Sequence, residues 1–263
     1  METDRKIAVM IDADNVSPKY IKYILDEIAT YGTPTYKRIY GDWTQPQLVN
    51  WKSELLEYSI IPIQQYSYTT GKNSTDSALI IDAMDILYSG NVDGFCIVSS
   101  DSDFTRLVTR LREDGCYVVG MGEKKTPRPF VVACEKFIYL ETIAEEMESS
   151  DNDTPEKTSI PAQKDKENTA KLCKAVRKIV MEIADDDGWA YIGNVGNILS
   201  KRYPDFDVRN YGFHKLTPLL DSLGPFEVTS RRTSNPHVQH KYIRLIPASP
   251  QPAPTSKTKK RKK

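Results

Sequence analysis

Apolar runs alternate with helical stretches over the first 140 residues. Candidate strands cover residues 7–11, 36–40, 60–65, 95–99, 117–120 and 137–140. Candidate helices between them cover residues 18–30, 46–57, 75–89, 103–113 and 129–135. Val9, Ile39 and Val98 lie within continuous apolar runs, which is typical of strands covered on both faces. The alternation predicts an α/β fold, in which helices sandwich a mainly parallel sheet.

A different pattern begins near Leu172. Apolar residues at helical spacing predict a helix that ends before Asp185-Asp186-Asp187-Gly188, and further helices over 192–202 and 209–222. Two strands follow, at 226–229 and 242–246, with a polar loop between them. Three helices followed by a hairpin predict a small winged-helix domain of the α+β class.

Composition sets the domain boundaries. Residues 149–170 contain no aromatic residue and few apolar ones, which predicts a flexible linker between domains at 1–148 and 171–247. Residues 248–263 are rich in proline and then in lysine, and we expect a disordered basic tail.

Charge and apolar content narrow the functional classes. The 263 residues carry no net charge, but residues 1–150 have 15 Lys and Arg against 23 Asp and Glu, while residues 171–263 have 18 against 8. A basic half joined to an acidic half is a reason to look for nucleic acid. No apolar run reaches the roughly 18 residues needed to cross a membrane. Four widely spaced cysteines without a C-x-x-C pair argue against zinc and indicate reduced thiols in a cytoplasmic protein.

Acidic residues gather at strand ends and helix starts. The first group, 12–15, follows the first strand, Asp76 opens a helix, and the third group, 99–103, follows the strand at 95–99. Because parallel strands place their carboxyl ends at one edge of the sheet, we expect these groups to meet. Gathered carboxylates repel one another unless a cation neutralises them, and oxygen ligands without His or Cys favour Mg²⁺ or Mn²⁺. Helix capping is the alternative role for each acid alone. Asp82 and Asp85 lie deeper in their helix, and we predict structural roles for both.

One alternative enzyme fits the first acidic group. Asp12-Ala13-Asp14-Asn15-Val16 matches the D-x-D-x-[T/V] signature of haloacid-dehalogenase-type phosphohydrolases, in which the first Asp is a nucleophile. The lysine that such enzymes also need has no obvious counterpart in this chain.

Residues 5–140 resemble the NYN domain, a branch of the PIN-like nucleases, and its LabA-like members in particular. The resemblance rests on Ile11-Asp12-Ala13-Asp14-Asn15, on Asn73-Ser74-Thr75-Asp76, and on Ser99-Ser100-Asp101-Ser102-Asp103-Phe104. It implies a metal-dependent ribonuclease. The implied metal ligands are Asp12, Asp76 and Asp101, and the catalytic set adds Asp103. Asp14, Asn15, Ser99 and Ser100 are candidates for supporting roles.

Residues 171–246 resemble the LOTUS domain, also called OST-HTH. The resemblance rests on Gly188-Trp189-Ala190, on the helix that carries Leu199, and on residues 210–216. It implies a winged helix that binds RNA or an RNA-associated protein partner.

Basic and aromatic residues around these sites are candidates for RNA contacts. The predicted contacts are Lys72, Arg106, Lys124, Lys125, Arg128, Lys215, Arg231 and Arg232. Trp43, Tyr66 and Tyr68 follow strands where single-stranded bases could stack, although packing in the protein is the alternative for each.

The sequence therefore predicts a Mg²⁺- or Mn²⁺-dependent endoribonuclease that acts on RNA, preferably single-stranded. A catalytically silent RNA-binding or adaptor protein is the alternative from another class. We expect a cytoplasmic location and no membrane partner, and in a eukaryote the basic tail is a candidate nuclear-import signal.

Overall fold

Two sheets organise the part of the chain that the structure describes. The computed structural model describes residues 4–66, 74–150, 163–232 and 239–246, with the side chains of Ser74, 147–150, 163–166 and Arg232 outside that description. Lys72 and Tyr68, two of the predicted RNA contacts, and the basic tail lie outside the described residues.

The larger sheet has six strands, all parallel. They are β1 (Lys6–Asp12), β2 (Thr33–Gly41), β3 (Ile61–Gln64), β4 (Gly94–Val98), β5 (Tyr117–Gly122) and β6 (Lys136–Tyr139). Their order is β3-β2-β1-β4-β5-β6, and each neighbouring pair is parallel. The strand order reverses between β1 and β4, which is where ligands bind in open α/β sheets. The predicted fold class is confirmed.

Helices cover both faces of this sheet. They are α1 (Ile21–Ile28), α2 (Trp51–Glu57), α3 (Ser74–Ser89), α4 (Thr105–Glu113), α5 (Arg128–Ala133) and α6 (Leu140–Ser150). Along β1, Ile7, Val9 and Ile11 pack in the core with α1, α2 and α6. Ala8 and Met10 point to the other face and pack in the core with α3, α4 and α5. The continuous apolar run of β1 thus reflects burial on both sides.

Several helices start later than the sequence pattern predicts. The stretches predicted to begin at 18, 46 and 103 open instead as short 3-10 turns, which are Pro18–Tyr20, Pro46–Leu48 and Ser102–Phe104. Proline at the first position suits such a turn because its missing N–H group would have no partner there. None of the described helices is long and apolar enough to cross a membrane.

Among the described residues, the second domain has three α-helices and a three-stranded sheet. Its elements are α7 (Gln163–Ile183), β7 (Ala190–Tyr191), α8 (Ile192–Arg202), α9 (Leu216–Ser222), β8 (Phe226–Arg232) and β9 (Gln239–Leu245). The sheet order is β7-β9-β8, and both pairs are antiparallel. The helix predicted over 209–222 was wrong in its first half. Val208–Tyr211 is a 3-10 turn that ends at Gly212, whose φ of 75° breaks the helix.

The structure describes only the two ends of the predicted linker. Helix α6 continues to Ser150, and α7 begins at Gln163, so helices occupy both ends of the range 149–170. Polar composition alone does not exclude a helix whose apolar stripe packs further along. In α7 that stripe includes Leu172 and Val176, both buried in the core of the second domain.

The second domain contacts the first along the edge strand β6. The amide N–H of Phe137 donates to the carbonyl of Pro204 at 2.9 Å, and the Lys136 amine donates to the carbonyl of Phe206 at 2.8 Å. Further along, the Thr142 hydroxyl donates to Asn210 at 2.8 Å. The segment between α8 and α9 therefore covers the β6 edge of the sheet. Without this segment, the edge would be open to pairing with another chain.

Arg209 is the centre of this contact between the domains. Its guanidinium donates to both carboxylate oxygens of Glu27 at 2.9 Å, to Glu146 at 3.0 Å and to Asp207 at 2.7 Å. Glu27 lies in α1 and Glu146 in α6, so a single cation joins two helices of the first domain to the second. The side chains of Arg209, Glu27 and Asp207 are all largely buried, which strengthens each interaction. These acids hold the pKa of Arg209 above its ordinary value.

We expect Arg209→Met to weaken the contact between the domains. Methionine keeps most of the apolar stem but removes the cation that three carboxylates share, which costs about 3 kcal/mol for buried pairs. The free energy of unfolding should fall by that amount, and hydrogen exchange at the Phe137 amide should accelerate. The control is Arg244→Met, because Arg244 forms an exposed pair with Glu227 inside the second domain. Equal exchange protection of Phe137 in both variants would contradict a role for Arg209 between the domains.

Candidate metal centre

Asp12 ends β1 as a buried and fully hydrogen-bonded carboxylate. One oxygen, Oδ2, accepts from the Asn15 amide at 2.7 Å and from the Ser99 hydroxyl at 2.8 Å. The other, Oδ1, accepts from the backbone N–H of Asp14 at 3.1 Å. Only 1% of Asp12 is exposed, and this burial raises its pKa although the hydrogen bonds act in the opposite direction.

Ser99 connects Asp12 to the second acidic group. Its hydroxyl donates to Asp12 and accepts from the backbone N–H of Asp101 at 3.0 Å. Pairing of β1 with β4 places Ile11 opposite Val98, so the ends of these two strands are adjacent. Ser100 has another partner, because its hydroxyl accepts from the backbone N–H of Glu123 at 2.9 Å and so fixes the loop after β5.

Three carboxylates meet in front of this buried layer. Asp76, Asp101 and Asp103 each offer an oxygen, and these oxygens lie within 4.8 Å of one another. Asp76 comes from the first turn of α3, and the other two come from the turn after β4. Neighbouring oxygens around an octahedral Mg²⁺ are about 3 Å apart, so these side chains would move closer together to coordinate one ion, or bind it partly through water. The donor set consists of oxygen only, which suits Mg²⁺ or Mn²⁺.

Negative charge dominates the surroundings of Asp76. Burial, followed by the charges of Asp12, Asp101, Asp103 and Asp14, raises the pKa of Asp76 to about 6. The five largest influences on this carboxyl all oppose its ionisation. A divalent cation placed among these oxygens would reverse that balance.

The predicted metal ligands occupy two different positions. Asp76 and Asp101 lie together as expected, and Asp103 joins them. Asp12 lies behind this group, with both oxygens held by hydrogen bonds, and its role as a ligand stays a prediction. Among the supporting residues, Asn15 and Ser99 bind Asp12 directly, while the exposed Asp14 contributes its backbone N–H and a nearby charge.

Capping and metal binding are compatible for Asp101. Its Oδ1 accepts from the backbone N–H of Asp103 at 2.9 Å, which makes it the cap of the 3-10 turn. Asp82 has a different environment, because it pairs with Arg38 and accepts a hydrogen bond from Tyr40. Asp85 is exposed on the same helix.

Asp42, one residue beyond the end of β2, is a further structured carboxylate that was not predicted from the sequence. Its carboxylate accepts from the Thr44 hydroxyl at 2.7 Å and from the Gln64 and Gln45 amides at 2.9 and 3.2 Å, and these bonds hold its pKa well below the usual range. The spacing Asp42-x-Thr44 after a strand is a signal for such a side-chain turn. The neighbouring Trp43 donates its indole N–H to the carbonyl of Ile63 at 3.0 Å, which anchors the same loop.

Many of the predicted RNA contacts form ion pairs within the protein. Arg128 pairs with Asp205 of the second domain at 2.7 Å, Lys125 with Glu123 at 2.7 Å, and Lys124 with Glu145 at 3.6 Å. All three cations remain exposed, so their free N–H groups are accessible. Arg106 and Lys215 are also exposed. The side chain of Arg232 is outside the described residues.

An aromatic surface on the second domain was also missed. Side chains alternate across a strand, so the residues of β9 that flank buried Ile243 point outward. Arg231 lies over the rings of Tyr242 and Trp189, with its guanidinium 4.7 and 5.4 Å from the ring centroids, and Arg244 lies 4.5 Å from that of Trp189. Tyr191 packs beside His240 and Tyr242. Arg231 also pairs loosely with Asp185, at 3.8 Å.

A parallel sheet with carboxylates at its switch point, followed by a winged helix, defines a PIN-like protein with an added helical domain. The sequence model of the NYN domain matches residues 6–141, and that of the OST-HTH/LOTUS domain matches residues 167–238. The chain belongs to the NYN family and carries an OST-HTH/LOTUS domain after its NYN domain. Both resemblances inferred from the sequence are confirmed.

Solved structures provide two more similarities. A protein of unknown function from Vibrio parahaemolyticus is 18% identical, with a TM-score of 0.44, over 52% of this chain and 93% of that one. A solution NMR structure from Chromobacterium violaceum is 26% identical, with a TM-score of 0.25, over 39% of this chain and 98% of that one. Comparison with curated proteins found no match.

The raised pKa of Asp76 predicts how stability depends on pH without metal. Because the folded-state pKa of about 6 exceeds the ordinary 3.8, the folded protein binds this proton more tightly than the unfolded chain does. The contribution of Asp76 to stability in EDTA should therefore fall as pH rises from about 4 to about 6. Asp76→Asn should remove this loss and stabilise the metal-free protein by about 1–2 kcal/mol at pH 7, a value reduced for solvent screening.

Chemical denaturation at pH 4 and pH 7 measures this effect. Asp85→Asn, the same substitution at an exposed position of α3, is the control and should keep the pH dependence of the wild type. An unchanged pH dependence in Asp76→Asn would show that Asp76 is not the group responsible.

Proposed function

We propose that the protein is a divalent-metal-dependent endoribonuclease that hydrolyses phosphodiester bonds in single-stranded RNA. The observation that supports this most is the group of Asp76, Asp101 and Asp103 oxygens within 4.8 Å of one another, at the switch point of an NYN domain. Mg²⁺ or Mn²⁺ is the proposed cofactor.

Asp76, Asp101 and Asp103 would hold the ion. When bound, it would activate water and stabilise charge on the phosphate. The protein contributes positioning. Asp12, buried beneath the site, fixes the Ser99 hydroxyl, which in turn fixes the backbone of Asp101. We propose that Asp12 acts in this way on the ligands, and its direct coordination stays a prediction.

The dehalogenase-type alternative fits the geometry poorly. An Asp nucleophile must reach a substrate phosphorus atom, but Asp12 is 1% exposed and receives hydrogen bonds on both oxygens. An NYN fold and a carboxylate group in front of Asp12 favour water as the nucleophile. The silent RNA-binding alternative differs only in activity, so an assay is needed to separate it.

We propose that the OST-HTH/LOTUS domain binds the RNA. Its outward sheet face combines guanidinium groups with aromatic rings, which suits phosphates and unpaired bases. A protein partner for this domain, and a cytoplasmic location, stay predictions from the sequence.

Substitution of one proposed ligand tests the enzyme. We expect the wild type to cleave single-stranded RNA with Mg²⁺ or Mn²⁺ and to be inactive in EDTA. Asp101→Asn should lower the rate at least about 100-fold, since loss of a ligand removes roughly 3 kcal/mol of transition-state stabilisation. RNA binding in EDTA should persist, and Asp85→Asn should cleave like the wild type. Wild-type protein that binds RNA but leaves it intact with every metal would support the silent alternative, whereas phosphate release from small phosphoesters would support the dehalogenase-type enzyme.

Salt dependence tests the role of the second domain. Arg231→Gln should weaken the binding of a short single-stranded RNA and reduce the slope of log affinity against log salt by about 0.7, the value for one phosphate contact. Arg177→Gln is the control, because Arg177 is exposed on α7 and is not one of the arginines that lie over the rings of Trp189 and Tyr242. Fluorescence anisotropy in EDTA measures both variants, and equal slopes would exclude a phosphate contact at Arg231.

A further inference from the structure

A cavity of about 400 Å³ lies where the two domains meet. Arg128 from the start of α5 contributes one side of it, Asn168 and Lys171 from α7 contribute another, and Tyr203 and Tyr211 come from the segment between α8 and α9. Arg128 belongs to the first domain and the other lining residues to the second, so the second domain forms most of the walls and the first closes one side. None of the roles proposed above uses it.

Aromatic and apolar groups form the inner part of this cavity. Tyr203 is 38% exposed, and Tyr211 is partly buried against Phe206, with ring centroids 6.4 Å apart. Leu172 of α7 lies beneath them and is almost completely buried. Exposed aromatic rings over an apolar floor provide surfaces on which a planar base can stack.

Cations lie at the rim. Arg128 is fixed by its Nη1 contact with Asp205 at 2.7 Å, but its side chain is 54% exposed, and a guanidinium has five N–H groups. Lys171 pairs with Glu167 one turn earlier on α7 at 2.8 Å and is 68% exposed. Each of the two cations already pairs with one carboxylate, but both side chains are more than half exposed and keep N–H groups for a further partner. They suit a phosphate beside a stacked base.

We propose that this interdomain cavity binds one nucleotide unit of RNA, with the base on the tyrosines and the phosphate at Arg128 and Lys171. The volume fits a single nucleotide and is too small for a double helix. The RNA strand that binds there must therefore be unpaired. The amide of Asn168 offers both a donor and an acceptor for the edge of the base.

The cavity lies near the carboxyl ends of the strands, which is the edge of the sheet that also carries the acidic site. Arg128 begins α5 after the carboxyl end of β5, and Tyr139 at the carboxyl end of β6 donates a hydrogen bond to Asp205. Strand β6 is two strands from β4, which is about 10 Å along the sheet edge. A strand of a few nucleotides can therefore occupy the cavity and reach Asp101. Its role as a substrate subsite rests on the proposed function, whereas its affinity for a nucleotide does not.

Titration of the full chain in EDTA tests this site. Ligand-observed NMR would compare AMP, adenosine and inorganic phosphate, and anisotropy would follow a five-nucleotide RNA. We expect AMP to bind at least about fivefold more tightly than adenosine or phosphate. Tyr203→Leu should weaken AMP and RNA at least about fivefold, the lower limit for loss of one stacked base. Lys171→Gln, at an exposed position, should weaken both about threefold. The controls are Tyr88→Leu and Lys174→Gln, exposed residues of α3 and α7 that do not line the cavity.

The outcomes separate this proposal from the nuclease activity. Weaker binding of AMP, of RNA, or of both in the two cavity variants, but not in the controls, supports the site and identifies the free nucleotide or the RNA strand as its ligand. Unchanged binding of both ligands in both cavity variants would overturn it, even if the wild type cleaves RNA. Cavity-dependent binding in a protein that cleaves no RNA would support the site and reject the nuclease.

Discussion

Repulsion between carboxylates at the ends of β1 and β4 is the constraint on which the site depends. Parallel pairing brings the acids of both strands to one edge, and α3 adds Asp76. The protein accommodates this charge in two layers. The inner carboxylate, Asp12, is stabilised by three hydrogen-bond donors, while burial and four neighbouring acids oppose the ionisation of Asp76. Hydrogen bonds offset part of the cost of burying Asp12, whereas the five largest influences on Asp76 all oppose its ionisation.

Carboxylates also gather at the contact between the domains, but there a basic side chain neutralises them. Glu27, Glu146 and Asp207 also converge, and there the chain supplies its own cation in Arg209. A guanidinium with five N–H groups can serve several carboxylates at once, which a lysine amine does less well. One gathering of acids therefore holds the two domains together, whereas the other has the composition of a metal site. The two groups of acids differ in their neighbours. Arg209 is among the largest influences on the pKa of Asp207, whereas no basic side chain is among the five largest influences on the pKa of Asp76.

The sequence predicted those features that follow from the order and burial of the strands. The apolar run 7–11 predicts a strand buried on both faces, and the rule for carboxyl ends predicts that Asp12, Asp76 and Asp101 approach one another. It was less informative about contacts between distant segments. Arg209 and Glu27 are 182 residues apart, and no local pattern predicts their pairing. The depth of Asp12 behind the other acids also depends on tertiary packing. The pattern of apolar residues also predicted a continuous helix across Gly212, where the left-handed backbone of the glycine ends the 3-10 turn.

Docking of the second domain has a consequence for how RNA could be presented. A module tethered by a long flexible chain samples many orientations, and binding to it positions a substrate only weakly. Here α6 and α7 approach the boundary as helices, and Arg209, the covered edge of β6 and the Arg128–Asp205 pair restrict the domain further. Much of the orientational entropy is then lost during folding rather than during substrate binding. A strand held by the second domain would approach the acids from the β6 side. The cations along that path, Lys124, Lys125 and Arg128, follow β5 and precede or begin α5, between the docked domain and the acidic site.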